Sequence, residues 1–561
     1  MRGRHPRTVA ATVGAAITVS IFAVMAVPGP AIASTQQVSI IQDSTRVMAH
    51  PAATLAAFRA LGASMVRVIV VWAQVAPDPG SRTPPPGFDG WSAAPDDGAS
   101  DAADPADYPA INWAPYDEIV KLAAADGMGV DFTLSGGAPR WAEGPGIPRA
   151  ALDNPYWAWR PSPIDFGQFV SAVGKRYSGT YVPPGHSTPL PRVDFWAIWN
   201  EPNFGEDLGP QAIDGSRVSL APGMYRNLVN QGWNALQATG HGGDTILIGE
   251  LAPWGASGPA TRSHPQGLPG EFGQTWPLRF LRDLYCVDAS YRELRGSAAR
   301  AVGCPATAAA SRRFRVSNPG LFDATGFADH PYPHNKPPTV ESSTNPNNAS
   351  FARLPALERE LDRLQRVYGS RRRFPIYDTE YGYITHPPGS ASDVSPATAA
   401  YYLNWTEYLS WKQPRVASTM QYLLYDPPPN PRMPDEAGFA SGLLFATGRP
   451  KPTYAAYRLP LYLPVTSTRP GRPLEVWGCL RPARYAILDS GQPQSGQIQF
   501  ARGPHGAFAP VMSVAVSDPN DCYFDLRVRF PGSGMVRLAY TYPSQSGGAT
   551  VYSRTVDVSL R

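Results

Sequence analysis

The chain predicts an α/β fold, a (β/α)8 TIM barrel with long insertions in its βα loops, followed by an all-β sandwich. Three observations predict it. Eight short runs rich in valine, isoleucine and aromatic residues alternate with eight helical patterns between Val38 and Tyr462. The long aperiodic stretches mostly follow strands, on the face where such barrels build their sites. From about Pro470 the texture changes to short alternating runs separated by turn residues.

Val38 to Gln42 is the first strand, and the helix from Pro51 to Leu61 stops at Gly62. Met65 to Trp72 is the second strand. A Pro-, Gly- and Asp-rich insertion from Pro77 to Pro115 separates it from the helix Tyr116 to Asp126, and a loop of that length inside a domain points to function. Val130 to Leu134 and the helix Asp165 to Tyr177 follow. The fourth strand lies in Val193 to Phe204, with Val193, Phe195, Ala197 and Trp199 on one face and Trp196 and Ile198 on the other. Apolar residues on both faces read as a buried parallel strand. Next come the helix Pro222 to Thr239, the fifth strand Thr245 to Leu251, the helix Trp276 to Val287, the sixth strand Ala324 to His330 and the helix Arg353 to Tyr368. Phe374 to Thr379, the helix Pro396 to Trp411, Val416 to Tyr425 and a last helix Tyr454 to Tyr462 complete the set. A doubly wound open sheet would show a glycine-rich phosphate loop after its first strand; Gln42-Asp43-Ser44-Thr45 is not one.

In the tail, Leu474 to Trp477, Ala483 to Leu488, Gly496 to Phe500, Val511 to Val516, Tyr523 to Phe530, Met535 to Tyr542 and Thr550 to Leu560 read as sandwich strands. Trp477, Tyr540 and Tyr542 are its candidate exposed aromatics.

Arg2, Arg4 and Arg7, an apolar run from Val9 to Val27 and Ala31-Ile32-Ala33 before Ser34 have the three parts of a secretory signal peptide, so residues 1–33 are set apart from the barrel (34–465) and the sandwich (470–561). The rival reading is an uncleaved anchor, since the run is near the lower limit for spanning a bilayer. Export favours oxidised cysteines, and the four present are expected to pair locally, Cys286 with Cys304 and Cys479 with Cys522. The formal charge is only +4 and has no long like-charge runs, which leaves no electrostatic footprint for nucleic acid.

Chemistry concentrates at two strand ends. The fourth strand stops at Asn200-Glu201-Pro202-Asn203, where the proline ends the ladder and leaves a carboxylate at the C-terminal edge. The seventh ends the same way in FPIYDTEYGY, at Glu380. Strands four and seven face each other across the mouth of an eight-stranded barrel, so the two carboxylates can share a cavity. Glycosidic cleavage needs such a pair.

A WNEP strand end with a second glutamate on strand seven resembles the clan A glycoside hydrolases. WNEPN together with APRWA (Ala138 to Ala142) is similar to glycoside hydrolase family 39 and its bacterial relatives, with family 5 next. The resemblance implies that Glu201 is the general acid/base, Glu380 the nucleophile of a retaining double displacement, and Asn200 the partner of the sugar hydroxyl beside the anomeric carbon. Carboxyl oxygens about 5 to 5.5 Å apart are expected. Arg67, His330 and Tyr332 match supporting positions of the clan and would keep Glu380 ionised.

Trp72, Trp141, Tyr383, Tyr422 and Tyr425, at or beyond strand ends, are candidates to stack on sugar rings, with Tyr422 or Tyr425 where many clan members carry a strand-eight tryptophan. Glu250 is placed to touch a substrate hydroxyl, and Asp378 to alternate inward as a structural acid. The plainer readings are an ion pair of Arg67 with Asp43 or another strand-end acid, and a metal site at His330 and His334; no metal and no cofactor is expected. The expected protein is a secreted, extracellular monomer that hydrolyses O-glycosidic bonds in an oligo- or polysaccharide, without nucleic-acid partners or stable membrane insertion. The alternatives are a non-catalytic carbohydrate-binding or cell-wall-associated barrel, and a transglycosylase using the same site.

Overall fold

The computed structural model describes residues 34, 36–86, 88, 101–149, 157–212, 218–256, 272–428 and 438–561. Residues 1–33, expected to be a signal peptide, lie outside the described residues, as do parts of the loops at 77–115, 253–274 and 425–448.

Eight strands form one parallel sheet: β1 (Val38–Gln42), β2 (Met65–Val71), β3 (Gly129–Ser135), β4 (Phe195–Ile198), β5 (Thr245–Leu251), β6 (Gly326–Asp329), β7 (Ile376–Asp378) and β8 (Ser418–Tyr422). Each pairs with its sequence neighbour, and β1 closes on β8 through five residue pairs. The eighth seam, between β7 and β8, has no ladder. A single parallel bridge, Ile376 to Val416, and the Ser418 hydroxyl on the Asp378 carbonyl (2.8 Å) tie it instead. Helices cover the outside, so the strands are buried on both faces, their apolar residues interrupted by buried polar ones such as Arg67, Asp131 and Thr133. Phe195 and Tyr377 meet across the interior with ring centroids 5.4 Å apart. Tyr377 therefore holds the inward position, and Asp378, expected inward, lines a small cavity against the helix Pro396–Trp411 with Thr406 and Glu407.

Some boundaries differ from expectation for clear physical reasons. The helix expected from Tyr116 begins at Ala110 and runs through Pro115, because Trp113 is fully buried and packs against Tyr108 and Tyr177. Ala483–Ser490 is a helix rather than a strand. Its buried Ala483, Ala486 and Ile487 follow the helical spacing of three and four, and Gly491 in the left-handed region stops it. The last barrel helix is Pro452–Arg458; Pro460 prevents its extension, and Leu461–Tyr462 becomes a strand, β9.

The β-sandwich has two sheets. One holds β9, β11 (Leu474–Cys479) and β14 (Tyr523–Val528); the other holds β10 (Ser467–Thr468), β12 (Gln494–Ala501), β13 (Ala509–Val516), β15 (Gly534–Thr541), β16 (Thr550–Tyr552) and β17 (Val556–Leu560). Val476, Ile498, Phe500, Val514, Phe524 and Leu538 form their shared core. Trp477 and Tyr540, expected exposed, are buried: Trp477 packs against Tyr408 and Trp411 of a barrel helix and Tyr523 of β14.

The sandwich seats on the N-terminal end of the barrel, away from the strand ends that carry Glu201 and Glu380. Arg481 donates to the Ser39 hydroxyl (2.6 Å), the Tyr457 carbonyl (2.8 Å) and Glu407 (2.5 Å), and Tyr485 donates to the Ala63 carbonyl (2.6 Å). Gly62 permits this approach. It has φ +82°, and a Cβ there would lie 2.4 Å from the Arg481 carbonyl oxygen. Both expected disulfides are formed, Cys286–Cys304 and Cys479–Cys522. Among the described residues no helix is long and apolar enough to cross a membrane.

Candidate active site

Arg67 points inward from the middle of β2 and is 0 % exposed. Its Nε donates to Thr133 (3.0 Å) and Glu250 (3.3 Å), its Nη1 to Gln42 (2.5 Å) and Glu380 (2.6 Å), and its Nη2 to Asn200 (2.8 Å) and Glu250 (2.6 Å). One guanidinium thus joins residues from β1, β3 and β5 to the ends of β4 and β7. Burial alone would discharge it; Glu250, Glu380 and Asp131 outweigh that and hold it charged. Arg67 is ion-paired with the strand-end acids Glu250 and Glu380, not with Asp43. Asp43 instead caps the helix Ser44–Ala49 and accepts from the Tyr425 amide.

The chain leaves β4 through strained backbone, with Trp199 at φ 70° and Glu201 at φ 35°. The Glu201 amide donates to the carbonyl of Glu250 (3.0 Å), itself at φ 47°. Non-glycine residues in this region mark places where surrounding contacts dictate the conformation, as active sites often do.

The two glutamates come together, nearer at their closest oxygens than the expected spacing of about 5 to 5.5 Å. A carboxylate oxygen of each and a ring nitrogen of His330 lie within 4.8 Å of one another. His330 Nδ1 is 2.8 Å from Glu201 Oε1 and 3.7 Å from Glu380 Oε2, and the Tyr332 hydroxyl donates to Glu380 Oε2 at 2.9 Å. In principle the three could share a cation, but these atoms are already engaged with one another, Tyr332 and Arg67. His334, paired with His330 in the metal reading, packs against Trp254 instead.

The environments push the two acids apart. Burial, then Glu380 and Glu250, raise Glu201 well above the ordinary glutamate value, with Arg67 opposing. Burial also pushes Glu380 upward, but His330, Arg67 and the Tyr332 hydroxyl outweigh it and hold it below that value. Burial lowers His330 itself, so Arg67 is the permanent positive charge near neutral pH, and His330 adds its charge to the hold on Glu380 only as the pH falls. One protonated and one ionised carboxyl side by side are suited to paired acid and nucleophile work.

Asn200 is clamped at both ends: its oxygen accepts from Arg67, and its amide donates to Asp207 Oδ1 at 2.9 Å. Tyr422 is half-buried beside Tyr332 and Phe439, at centroid distances of 6.3 and 5.3 Å, so strand eight does present a ring near Glu380. Four expected sugar-stacking residues are placed elsewhere. Trp72 is 0 % exposed, stacked on Phe169 and edge-on to Phe166, and has no surface to offer a ligand. Trp141 packs edge-on against Trp72 and Phe88 and donates to the Pro77 carbonyl, bracing the loop base. Tyr383 donates to the Lys336 carbonyl and packs on Tyr402, and Tyr425 lies under Arg46. Glu250 is 0 % exposed and meets Arg67 rather than open space.

Sequence reasoning missed Asp207, Trp254 and Phe439. Trp254, three residues beyond β5 and 6.4 Å from Tyr332, carried the same strand-end signal as the aromatics that were singled out. Asp207 sits in an irregular loop and gave no periodic cue.

No family model and no curated protein matches the chain. Among solved structures it is similar to the family 1 β-glucosidase from Thermotoga maritima, with 15% identity over 73% of this chain and 86% of that one, at a TM-score of 0.42. It is also similar to the endo-β-1,4-mannanase from Thermotoga petrophila, with 12% identity over 94% and 98%, at a TM-score of 0.38. Against the β-glucuronidase 2 of Bacteroides uniformis it has 9% identity and a TM-score of 0.38, and spans 46% of that chain's length. These proteins are glycosidases by name, but likeness this loose leaves the reaction to be read from the site. The similarity to family 39 rests on the WNEPN and APRWA motifs alone.

Proposed function

We propose that this chain is an exported retaining glycoside hydrolase acting on an oligo- or polysaccharide, with Glu201 as acid/base and Glu380 as nucleophile. The observation that carries the reading is a close carboxyl pair whose surroundings drive the two protonation states in opposite directions. The spacing suits direct attack, since an inverting enzyme needs about 6.5 to 9.5 Å to seat a water between its carboxyls. Export is supported by the leader-like residues 1–33 and two closed disulfides.

In the first step Glu380 attacks the anomeric carbon while protonated Glu201 gives its proton to the departing oxygen; the glycosidic bond breaks and a glycosyl ester forms. In the second, ionised Glu201 takes a proton from water, the hydroxide attacks the same carbon, and Glu380 leaves as carboxylate. Arg67 and Tyr332 stabilise the negative charge on Glu380 at either end of the cycle.

The test is a screen of aryl glycosides and plant and microbial polysaccharides, with proton NMR of the first-formed anomer. Retention is expected, and Glu201→Gln and Glu380→Gln should each lower turnover of an unactivated substrate by about 10² or more. Unchanged sugar release in both variants removes the catalytic assignment, and inversion removes the mechanism.

A further inference from the structure

We infer that Asp207 is a positioning residue: by accepting a hydrogen bond from the Asn200 side chain, it sets the direction from which that amide meets the sugar hydroxyl beside the anomeric carbon. The inference rests on the glycosidase reading and adds to it the residue that aims Asn200.

Asn200 follows β4 and is held in three places. Its backbone amide donates to the Ser135 hydroxyl at the end of β3 (3.1 Å), its side-chain oxygen accepts from Arg67 Nη2 (2.8 Å), and its side-chain nitrogen donates to Asp207 Oδ1 (2.9 Å). A guanidinium only donates, so the oxygen end of the amide faces Arg67 and the nitrogen end needs an acceptor. One bond at the oxygen would leave the amide plane to turn about its last torsion, which has broad wells. The second bond, at the opposite end, removes that freedom. Among the described residues Asn200 makes no further side-chain hydrogen bond, which leaves its second amide N–H for a ligand.

The chain is folded to bring Asp207 to this place. The Phe204 amide donates to the Glu201 carbonyl (2.8 Å) and the Leu208 amide to the Phe204 carbonyl (2.9 Å), turning the segment back towards β4. Trp199 Nε1 donates to the Asp207 carbonyl (3.2 Å), and the fully buried Asn203 ties the same segment to the carbonyls of Ala252 and Thr275. Asn200 and Asp207 both border a cavity of about 320 Å³ over the ends of β1 to β4. That volume is near the lower end of ligand-pocket sizes, about 300 to 1,000 Å³, so the amide they fix is within reach of a bound molecule.

Burial, then Glu201, push the Asp207 carboxyl well above the ordinary aspartate value, with the bond from Asn200 opposing. Asp207 is therefore an uncharged acceptor. Asparagine in its place keeps an acceptor oxygen without charge, whereas leucine, of similar size, offers no acceptor.

The test measures kcat/KM for 4-nitrophenyl glycosides of glucose, mannose, galactose and xylose, in both anomers, and for their 2-deoxy counterparts, in wild type, Asp207→Leu and Asp207→Asn, with melting temperature as the check on folding. Asp207→Leu is expected to lose about 10² on the best 2-hydroxy substrate, the scale of loss for a misaimed contact, and far less on the 2-deoxy counterpart, which has no hydroxyl for Asn200 to meet. A general fault in the fold would lower both together, so equal losses overturn the positioning role. Asp207→Asn, which keeps the acceptor, is expected to hold the ratio of the two substrates within about tenfold of wild type, the worth of one hydrogen bond. A larger fall overturns the role even where leucine is not tolerated. A wild type that binds but cuts none of these glycosides sinks the hydrolase reading, and the same ratio, taken from dissociation constants, then decides the role of Asp207. A wild type that binds none of them overturns both.

Discussion

Arg67 shows how one side chain can set the chemistry of two others. Its charge steadies Glu380 as an anion and, by geometry, holds Asn200 and Glu250 at the same time. The pH dependence of kcat/KM should be bell-shaped. Activity needs Glu380 ionised, so the acid limb falls below the ordinary glutamate value; it needs Glu201 protonated, so the alkaline limb falls above that value. Arg67→Lys keeps the charge but cannot serve five protein partners from one ammonium. Its expected profile keeps both limbs near their wild-type positions and loses about 10² to 10³ in rate. A rate that holds along with both limbs would show that charge alone matters at this position. Glu201 and Glu380 were legible in the sequence because each ends an apolar run, where a carboxylate is out of place. The pairing of Glu250 with Arg67 was not, because it depends on two inward side chains meeting across the barrel, a distance that neither strand's pattern encodes.

At the level of single elements, the limits of some segments were directly readable. Thr245–Leu251 and Pro396–Trp411 have the limits their sequences suggest. Short runs were ambiguous, as at Ala483–Ser490, where alternating small and large residues suit a strand or two turns of helix until neighbours decide. Trp72 was misread because a tryptophan at a strand end looks available, whereas the turn that follows β2 folds it under Phe166 and Phe169. The connection after β5 is stapled rather than packed throughout. Cys286–Cys304 closes a span of 18 residues, and the buried Arg226 reaches across it to the carbonyls of Leu284 and Gly303. Replacing both cysteines by alanine is expected to cost about 3 kcal/mol of stability, seen as a lower urea midpoint, with kcat unchanged. A kcat that falls in step with stability would place this loop in the catalytic machinery.

Across the whole molecule, the sandwich is anchored to the barrel by buried polar contacts. Arg481 reaches from it into the barrel with its side chain only 3 % exposed, and its partner Glu407 belongs to the helix Pro396–Trp411. Arg481→Ala leaves that carboxylate buried without its cation, at a cost of about 3 to 5 kcal/mol. The expected readout is a clearly lower melting temperature with little change in kcat/KM on small glycosides. Loss of polysaccharide binding at unchanged melting temperature would instead make the sandwich a binding module.

The barrel is laced by ladders along seven seams and only tied at the eighth, beside the three-residue strand that leads to Glu380. The helix spanning that seam is gripped by β11 through Trp477 and Tyr408. The weakest seam of the barrel therefore runs alongside Glu380, and the sheet at the other end of the molecule grips the helix that spans it.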